Sequence, residues 1–79
     1  MSPTVFKEKN YRFFFFSREE KRMHIHVVSP DGEAKFWIEP KIELAKSIGL
    51  NNRQIKLLEN IIKDTENEIR SSWKKHFGS

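Results

Sequence analysis

The segment spanning residues 23–38 constrains the fold more than any other part of this chain. At its centre, residues 29–32 are Ser-Pro-Asp-Gly, with proline and glycine at positions where a tight turn uses them. On both sides of this turn, apolar residues occupy every second position. Such alternation is typical of strands that bury one face, so the segment predicts an antiparallel hairpin of two strands, 23–28 and 33–38.

The register of this hairpin follows from a four-residue loop at 29–32. One face then carries three cross-strand pairs: Val28 with Glu33, His26 with Lys35, and His24 with Trp37. The other face carries only apolar side chains: Met23, Ile25, Val27, Ala34, Phe36 and Ile38. We therefore expect the apolar face to pack against helices and the mixed face to point away from the core.

Two further strands are predicted before the hairpin. Residues 4–6 form a short candidate strand, and residues 11–16 form the most apolar run in the chain, too short for a helix and rich in phenylalanine. Residues 18–22 are all charged and predict a loop. The composition changes at Pro40, which is expected to end the sheet.

The second half of the chain predicts helices. A short helix over residues 42–48 should stop at Gly49 in a left-handed cap. Asn51, with Gln54 three residues later, is typical of a capping box, and apolar residues at helical spacing predict a long helix from there to residue 75. The nine residues predicted to share the core are Ile25, Val27, Phe36, Ile38, Leu44, Ile55, Leu58, Ile62 and Ile69.

The predicted fold is therefore a single α+β domain over residues 1–79. Three or four antiparallel strands lie within residues 3–40. A short helix and a long C-terminal helix follow within residues 41–76, and they pack on one face of the sheet.

Composition excludes several classes of protein. The 79 residues carry a net charge of +4, from 15 basic and 11 acidic side chains, and include no cysteine. Such a chain has neither a disulfide framework nor a thiolate zinc site and suits a reducing compartment, so we expect a cytoplasmic protein. No apolar run approaches the roughly 20 residues that cross a bilayer, and no glycine-rich phosphate loop is present. We therefore expect no membrane association and no small-molecule cofactor.

The strand at residues 11–16 is aromatic on both faces, and a small sheet with helices on one side cannot cover both. Large exposed apolar patches usually mark protein interfaces. We therefore expect a protein partner or a homodimer. The side chains predicted to bind it are Tyr11, Phe13, Phe14, Phe16, His24, His26 and Trp37.

His24 and His26 form the sharpest chemical candidate, because residues two apart on a strand share a face. With Lys35 opposite His26, they are candidate catalytic residues of a ribonuclease-like site, where histidine acts as acid or base. A metal site needs a third ligand within reach, so no metal is predicted. The alternative is that both histidines are structural or interface residues stacked near Trp37.

Basic residues lie in and beside the aromatic strand, and aromatic rings interleaved with cations on a sheet are typical of proteins that bind single-stranded nucleic acid. The candidate nucleic-acid-binding residues are Arg12, Arg18, Lys21, Arg22 and Lys35. A net charge of +4 is modest for such a role.

Several motifs resemble those of a small bacterial family known only as a domain of unknown function, number four-one-six-zero. They are PTVF at residues 3–6, YRFFFFS at 11–17, HIHV at 24–27 and GEAKFWIEP at 32–40. The resemblance implies a small antiparallel sheet packed on two C-terminal helices. It also implies a bacterial or phage-borne protein, often encoded beside a second small protein as in toxin–antitoxin modules.

Three hypotheses about function stay open at this point. The first is a non-enzymatic protein-binding module, one half of a two-protein toxin–antitoxin-like system. The second is a metal-independent ribonuclease-type toxin that uses His24, His26 and Lys35. The third is a nucleic-acid-binding regulator or inhibitor.

Overall fold

The computed structural model describes residues 4–16 and 21–78. These residues form an α+β fold: one antiparallel sheet followed by two helices. The five strands are β1 (Thr4–Glu8), β2 (Tyr11–Phe14), β3 (His24–Ser29), β4 (Gly32–Trp37) and β5 (Glu43–Ile48), and the helices are α1 (Asn52–Asp64) and α2 (Glu66–Phe77). Neighbouring strands in the chain are neighbours in the sheet, which is a meander in the order β1-β2-β3-β4-β5.

The central hairpin has the register predicted from its turn. All three predicted pairs are present: His24 with Trp37, His26 with Lys35, and Val28 with Glu33. The Ser29 hydroxyl closes the turn locally, because it accepts a hydrogen bond from the Asp31 backbone N–H at 3.2 Å. This local bonding fixes the loop, and the loop fixes which face each side chain takes.

The core lies between one face of the sheet and the two helices. Its fully buried members include Phe13, Ile25, Phe36, Leu58 and Ile62, each 0% exposed. Seven of the nine predicted core residues are buried: Ile25, Val27, Phe36, Ile38, Leu58, Ile62 and Ile69. Ile55 packs only partly buried against this core. The prediction for Leu44 is wrong, because its side chain is 38% exposed.

The predicted short helix at residues 42–48 is wrong, because this segment forms β5 and pairs antiparallel with β4. Pro40 therefore does not end the sheet, which has five strands rather than three or four. A helix of two turns is marginal in water, whereas a strand beside β4 pairs backbone groups that would otherwise lie at an open edge.

Two glycines allow the end of β5 to approach the hairpin turn closely. A Cβ at Gly32 would collide with the carbonyl oxygen of Ile48, and a Cβ at Gly49 would lie 2.6 Å from the carbonyl oxygen of Asp31. Gly49 also has a φ of +80°. It is left-handed as predicted, but it follows a strand rather than capping a helix.

The predicted long helix begins as expected and is interrupted once. Asn51 Oδ1 accepts the Gln54 backbone N–H at 2.8 Å, and Gln54 Oε1 accepts the Asn51 N–H at 3.0 Å, so the capping box is confirmed. The interruption is at Thr65, which separates α1 from α2 and has φ −113° and ψ 17°. Its hydroxyl donates to the Ile61 carbonyl at 2.8 Å, a back-bond that competes with regular helical geometry.

Arg70 connects α2 to the segment that follows β4. Its guanidinium donates to the carboxylates of Glu66 and Glu39, each at 2.8 Å, and contacts the Ile38 carbonyl at 3.4 Å. Hydrogen bonds to the carboxylates of Glu66 and Glu39 raise the pKa of Arg70 above its usual value, and the bond to Glu66 makes the larger contribution. This network fixes the second helix over the sheet. None of the described helices is long and apolar enough to span a membrane.

Candidate functional site

The sheet face opposite the core is the candidate site, and we call it the outer face. Strand register places its members in cross-strand rows, because paired residues point to the same side. One row runs Lys7, Arg12, Val28, Glu33 and Ile48; the next runs Phe14, His26, Lys35 and Lys46; the third runs His24, Trp37 and Glu43. The outer face therefore combines aromatic rings with charges of both signs.

Three rings form a cluster at the end of β2. The Phe14 ring stacks on the His26 ring with centroids 5.4 Å apart, and Phe16 meets His26 edge-on at 5.5 Å. Phe14 and Phe16 also meet edge-on at 6.3 Å. Phe16 is 50% exposed, which is unusual for so large an apolar side chain in a small domain. The cluster therefore exposes apolar surface on the outer face.

Cations lie against the rings of this face. The Arg12 guanidinium lies 4.7 Å from the centre of the Phe14 ring. Trp37 has two such contacts, with Arg22 at 4.2 Å and with Lys35 at 4.5 Å. Each contact is worth about 0.5–1 kcal/mol at an exposed site, so the cations hold the rings in place as well as carrying charge.

Arg22 is further positioned by the strand connections. Its Nε donates to the Glu39 carbonyl at 2.6 Å, and its guanidinium lies 3.8 Å from the carboxylate of Glu43. The Trp37 ring is thus in contact with Lys35 and with Arg22, which is itself ion-paired with Glu43. An acidic and a basic group stand beside the same aromatic ring.

These side chains surround an open groove of about 600 Å³ on the outer face. Its charged lining residues are Arg12, Glu33, Lys35 and Lys46, and its aromatic lining residues are Phe14, Phe16, His26 and Trp37. Apolar, aromatic and charged side chains thus line the groove together. This arrangement is typical of surfaces that bind proteins.

His24 lies in a different environment from His26. It is 1% exposed, and its ring meets the Trp73 ring of α2 at 5.3 Å and the Trp37 ring at 5.8 Å. Its Nδ1 lies 2.7 Å from the carbonyl oxygen of Arg22. The two histidine rings are 5.2 Å apart, as the shared strand face predicts. Only His26 has the accessibility that a surface site needs.

The structure brings together some of the predicted site residues and separates others. Phe14, Phe16, His26, Lys35 and Trp37 line the groove together. The placement of Tyr11 and Phe13 on a binding surface is wrong for this fold, because they lie in the core, 7% and 0% exposed. Helices cover one face of β2, so only the alternate residues reach the outer face.

The basic residues predicted to bind nucleic acid do not all lie at the groove. Arg12 and Lys35 line the groove and Arg22 borders it through Trp37. Lys21 is exposed and lines no part of the groove. Arg18, with most of the predicted charged loop, lies outside the described residues. Within residues 4–16 and 21–78, His, Asp and Glu side chains form no group of three that could hold a metal ion.

Sequence reasoning missed the contribution of β5 to the outer face. Lys46 pairs with Lys35, and Glu43 pairs with Trp37. No clean alternation marks this strand, because its register shifts between the pairs Lys35–Lys46 and Phe36–Leu44. Such a bulge breaks the period of two that would have identified the strand.

The fold and this face define a class of protein: a small α+β domain in which helices cover one side of an antiparallel meander and an aromatic, charged groove lies on the other. Comparison with family models gives a match over residues 10–74, to a family described as a domain of unknown function, DUF4160. The chain belongs to this family, as its motifs predict. Neither curated proteins nor solved structures give a match.

Proposed function

We propose that this protein is a non-enzymatic protein-binding module that holds a partner protein on its outer face. The partner is the second component of a bacterial or phage two-protein system of the toxin–antitoxin kind. The observation that carries the proposal is the groove itself, where a half-exposed Phe16 adjoins the stacked rings of Phe14 and His26. Partner residues that fill such a groove remove these rings from water, which is the main source of binding energy at interfaces.

The occupied stacking positions, more than the charges, favour a protein over a nucleic acid as the partner. Glu33 lines the groove, and Glu43 lies beside the Trp37 ring through its ion pair with Arg22. These carboxylates repel a polyanion locally, whereas Arg12, Lys35 and Lys46 in the same groove attract one, so the stacking positions, not the charges, count against a nucleic acid. Two cations already lie against the Trp37 ring, so a base could stack there only by displacing one of them.

The geometry gives less support to the ribonuclease hypothesis. Catalysis by a histidine pair needs both imidazoles within reach of the substrate. His24 is 1% exposed and packs against Trp73. Of the three candidate catalytic residues, only His26 and Lys35 line the groove.

The test uses the neighbouring gene product, produced separately and titrated onto this protein by calorimetry. The double variant F14A/F16A should weaken binding at least about tenfold, because aromatic anchors dominate interface energies. Lys63→Ala is the control, since Lys63 is exposed on α1, on the opposite side of the molecule from the groove. Melting curves of both variants show whether the fold is intact.

Two results would overturn the proposal. Binding of the partner with undiminished affinity by F14A/F16A would move the interface away from the outer face. Tight binding of single-stranded RNA that weakens steeply with added salt, without any protein partner, would instead indicate a nucleic-acid-binding role.

A further inference from the structure

The second surface of interest is the outer edge of β5, the last strand of the sheet. In the order β1-β2-β3-β4-β5, this strand has β4 on one side. Within residues 4–16 and 21–78, no strand pairs with its other side. A strand at a sheet edge presents backbone N–H and C=O groups that can pair with a further strand. The edge is therefore a template for β-pairing.

Apolar exposure is concentrated on this strand. Three large apolar side chains are exposed among the described residues, and two of them, Leu44 at 38% and Ile48 at 57%, belong to β5. The third, Phe16, belongs to the groove. Proteins usually protect a free edge with charged side chains, a proline or a bulge, and β5 has one bulge, between Leu44 and Lys46. β5 contains no proline and only two charged residues, Glu43 and Lys46.

Those two charges are arranged so that the strand is complementary to itself. Glu43 and Lys46 are three residues apart, and on a regular strand they would point to opposite faces. The register shift in β5 changes this: Glu43 pairs with Trp37 and Lys46 with Lys35, so both lie on the outer face. The bulge thus places one negative and one positive side chain on the same side of the same edge.

We propose that β5 pairs antiparallel with β5 of a second copy of this chain, about a two-fold axis, so that the two sheets become one. In this register Glu43 of each copy lies opposite Lys46 of the other, and Leu44 lies opposite Ala45. Both ion pairs form on the outer face. A symmetric dimer needs a surface complementary to itself, and this edge has one.

The charges also select the register. A shift of the two-fold axis to Lys46 would place the two lysines opposite each other, which is unfavourable. Opposite charges across a strand pair are favourable, so the Glu43–Lys46 register is preferred. This proposal does not depend on the identity of a partner at the groove, because the pairing uses the backbone edge of β5, although Lys46 also lines the groove.

The experiment is a charge swap followed by sedimentation equilibrium of the purified chain without a partner protein. The unchanged protein should sediment as a dimer of two 9.5 kDa chains. E43K and K46E should each weaken the dimer at least about tenfold, because each opposes like charges twice, a cost of about 1.4 kcal/mol by this fold-change. The double variant E43K/K46E should restore the dimer. Lys7→Glu, on the other edge strand β1, is the matched control and should leave the dimer unchanged.

Amide hydrogen exchange gives a second readout that does not require any variant. The β5 amides should become more protected as protein concentration rises, whereas the β1 amides should not. A monomer at all concentrations would overturn the proposal. So would a dimer that E43K and K46E leave intact and that gives β5 no added protection, or protection of β5 that arises only with a different protein.

Discussion

Replacing each histidine in turn tests whether His24 is a structural residue and whether His26, two positions away, is a surface residue. The perturbations are His24→Ala and His26→Ala. His24 is 1% exposed, whereas His26 is partly exposed in the groove. We expect His24→Ala to destabilise the fold and His26→Ala to leave it nearly unchanged.

The magnitude follows from the contacts of His24. Its ring meets Trp73 at 5.3 Å and Trp37 at 5.8 Å, and aromatic pairs of this kind contribute about 0.5–1.5 kcal/mol each beyond the area they bury. The 2.7 Å hydrogen bond to the Arg22 carbonyl contributes about 1 kcal/mol. The expected loss is therefore about 2–4 kcal/mol, in the range of other large-to-small core replacements.

That loss is large for a chain of 79 residues, whose whole stability is roughly 4–12 kcal/mol. For a domain of this size, it corresponds to a drop in melting temperature of at least about 8 °C. His26 contacts the rings of Phe14 and Phe16 at the surface, so His26→Ala should cost about 1 kcal/mol or less.

The assay is equilibrium unfolding of the three proteins by urea and by heat, followed by circular dichroism. Equal slopes in urea would show that the variants unfold from equally compact states. If His24→Ala melted within about 2 °C of the unchanged protein, His24 would not be packed between α2 and the sheet, and the reasoning would be refuted.

Three further predictions test the core, the turn and the helix start. Ile62→Ala should lower the free energy of unfolding by about 2–4 kcal/mol and Ile55→Ala by less, because Ile62 is 0% exposed and Ile55 is only partly buried. Equal losses in urea unfolding would argue against the predicted apolar stripe of the helix. Gly32→Ala should destabilise the hairpin because its Cβ would collide with the Ile48 carbonyl, and loss of exchange protection in β5 should show it. Asn51→Ala should cost about 1 kcal/mol in thermal unfolding through loss of the capping box; an unchanged melting curve would mean that the cap contributes nothing.

The sequence by itself determined those features that depend on neighbouring residues. The central hairpin was predictable because the turn at residues 29–32 and the alternation beside it are local, and together they set the register. The capping box was predictable for the same reason, since Asn51 and Gln54 satisfy each other within one turn of helix. The apolar stripe of the long helix also follows from spacing alone.

Features that depend on distant contacts were decided only by the tertiary structure. Residues 43–48 contain good helix formers, yet they form β5 because β4 offers a pairing edge, and packing context overrides local propensity. Thr65 lies within the predicted helix, and nothing in the spacing of apolar residues reveals that its hydroxyl bonds to the Ile61 carbonyl.

For the candidate site as well, some features follow from the sequence and others only from the tertiary structure. Strand parity correctly placed His24, His26, Lys35 and Trp37 on one face, because parity is a property of the strand itself. It could not reveal that Trp73 contacts His24 while Phe14 and Phe16 surround His26, since those contacts bring together residues far apart in the chain. Register decides which way a side chain points, but burial depends on what else packs there, and only the assembled fold determines that.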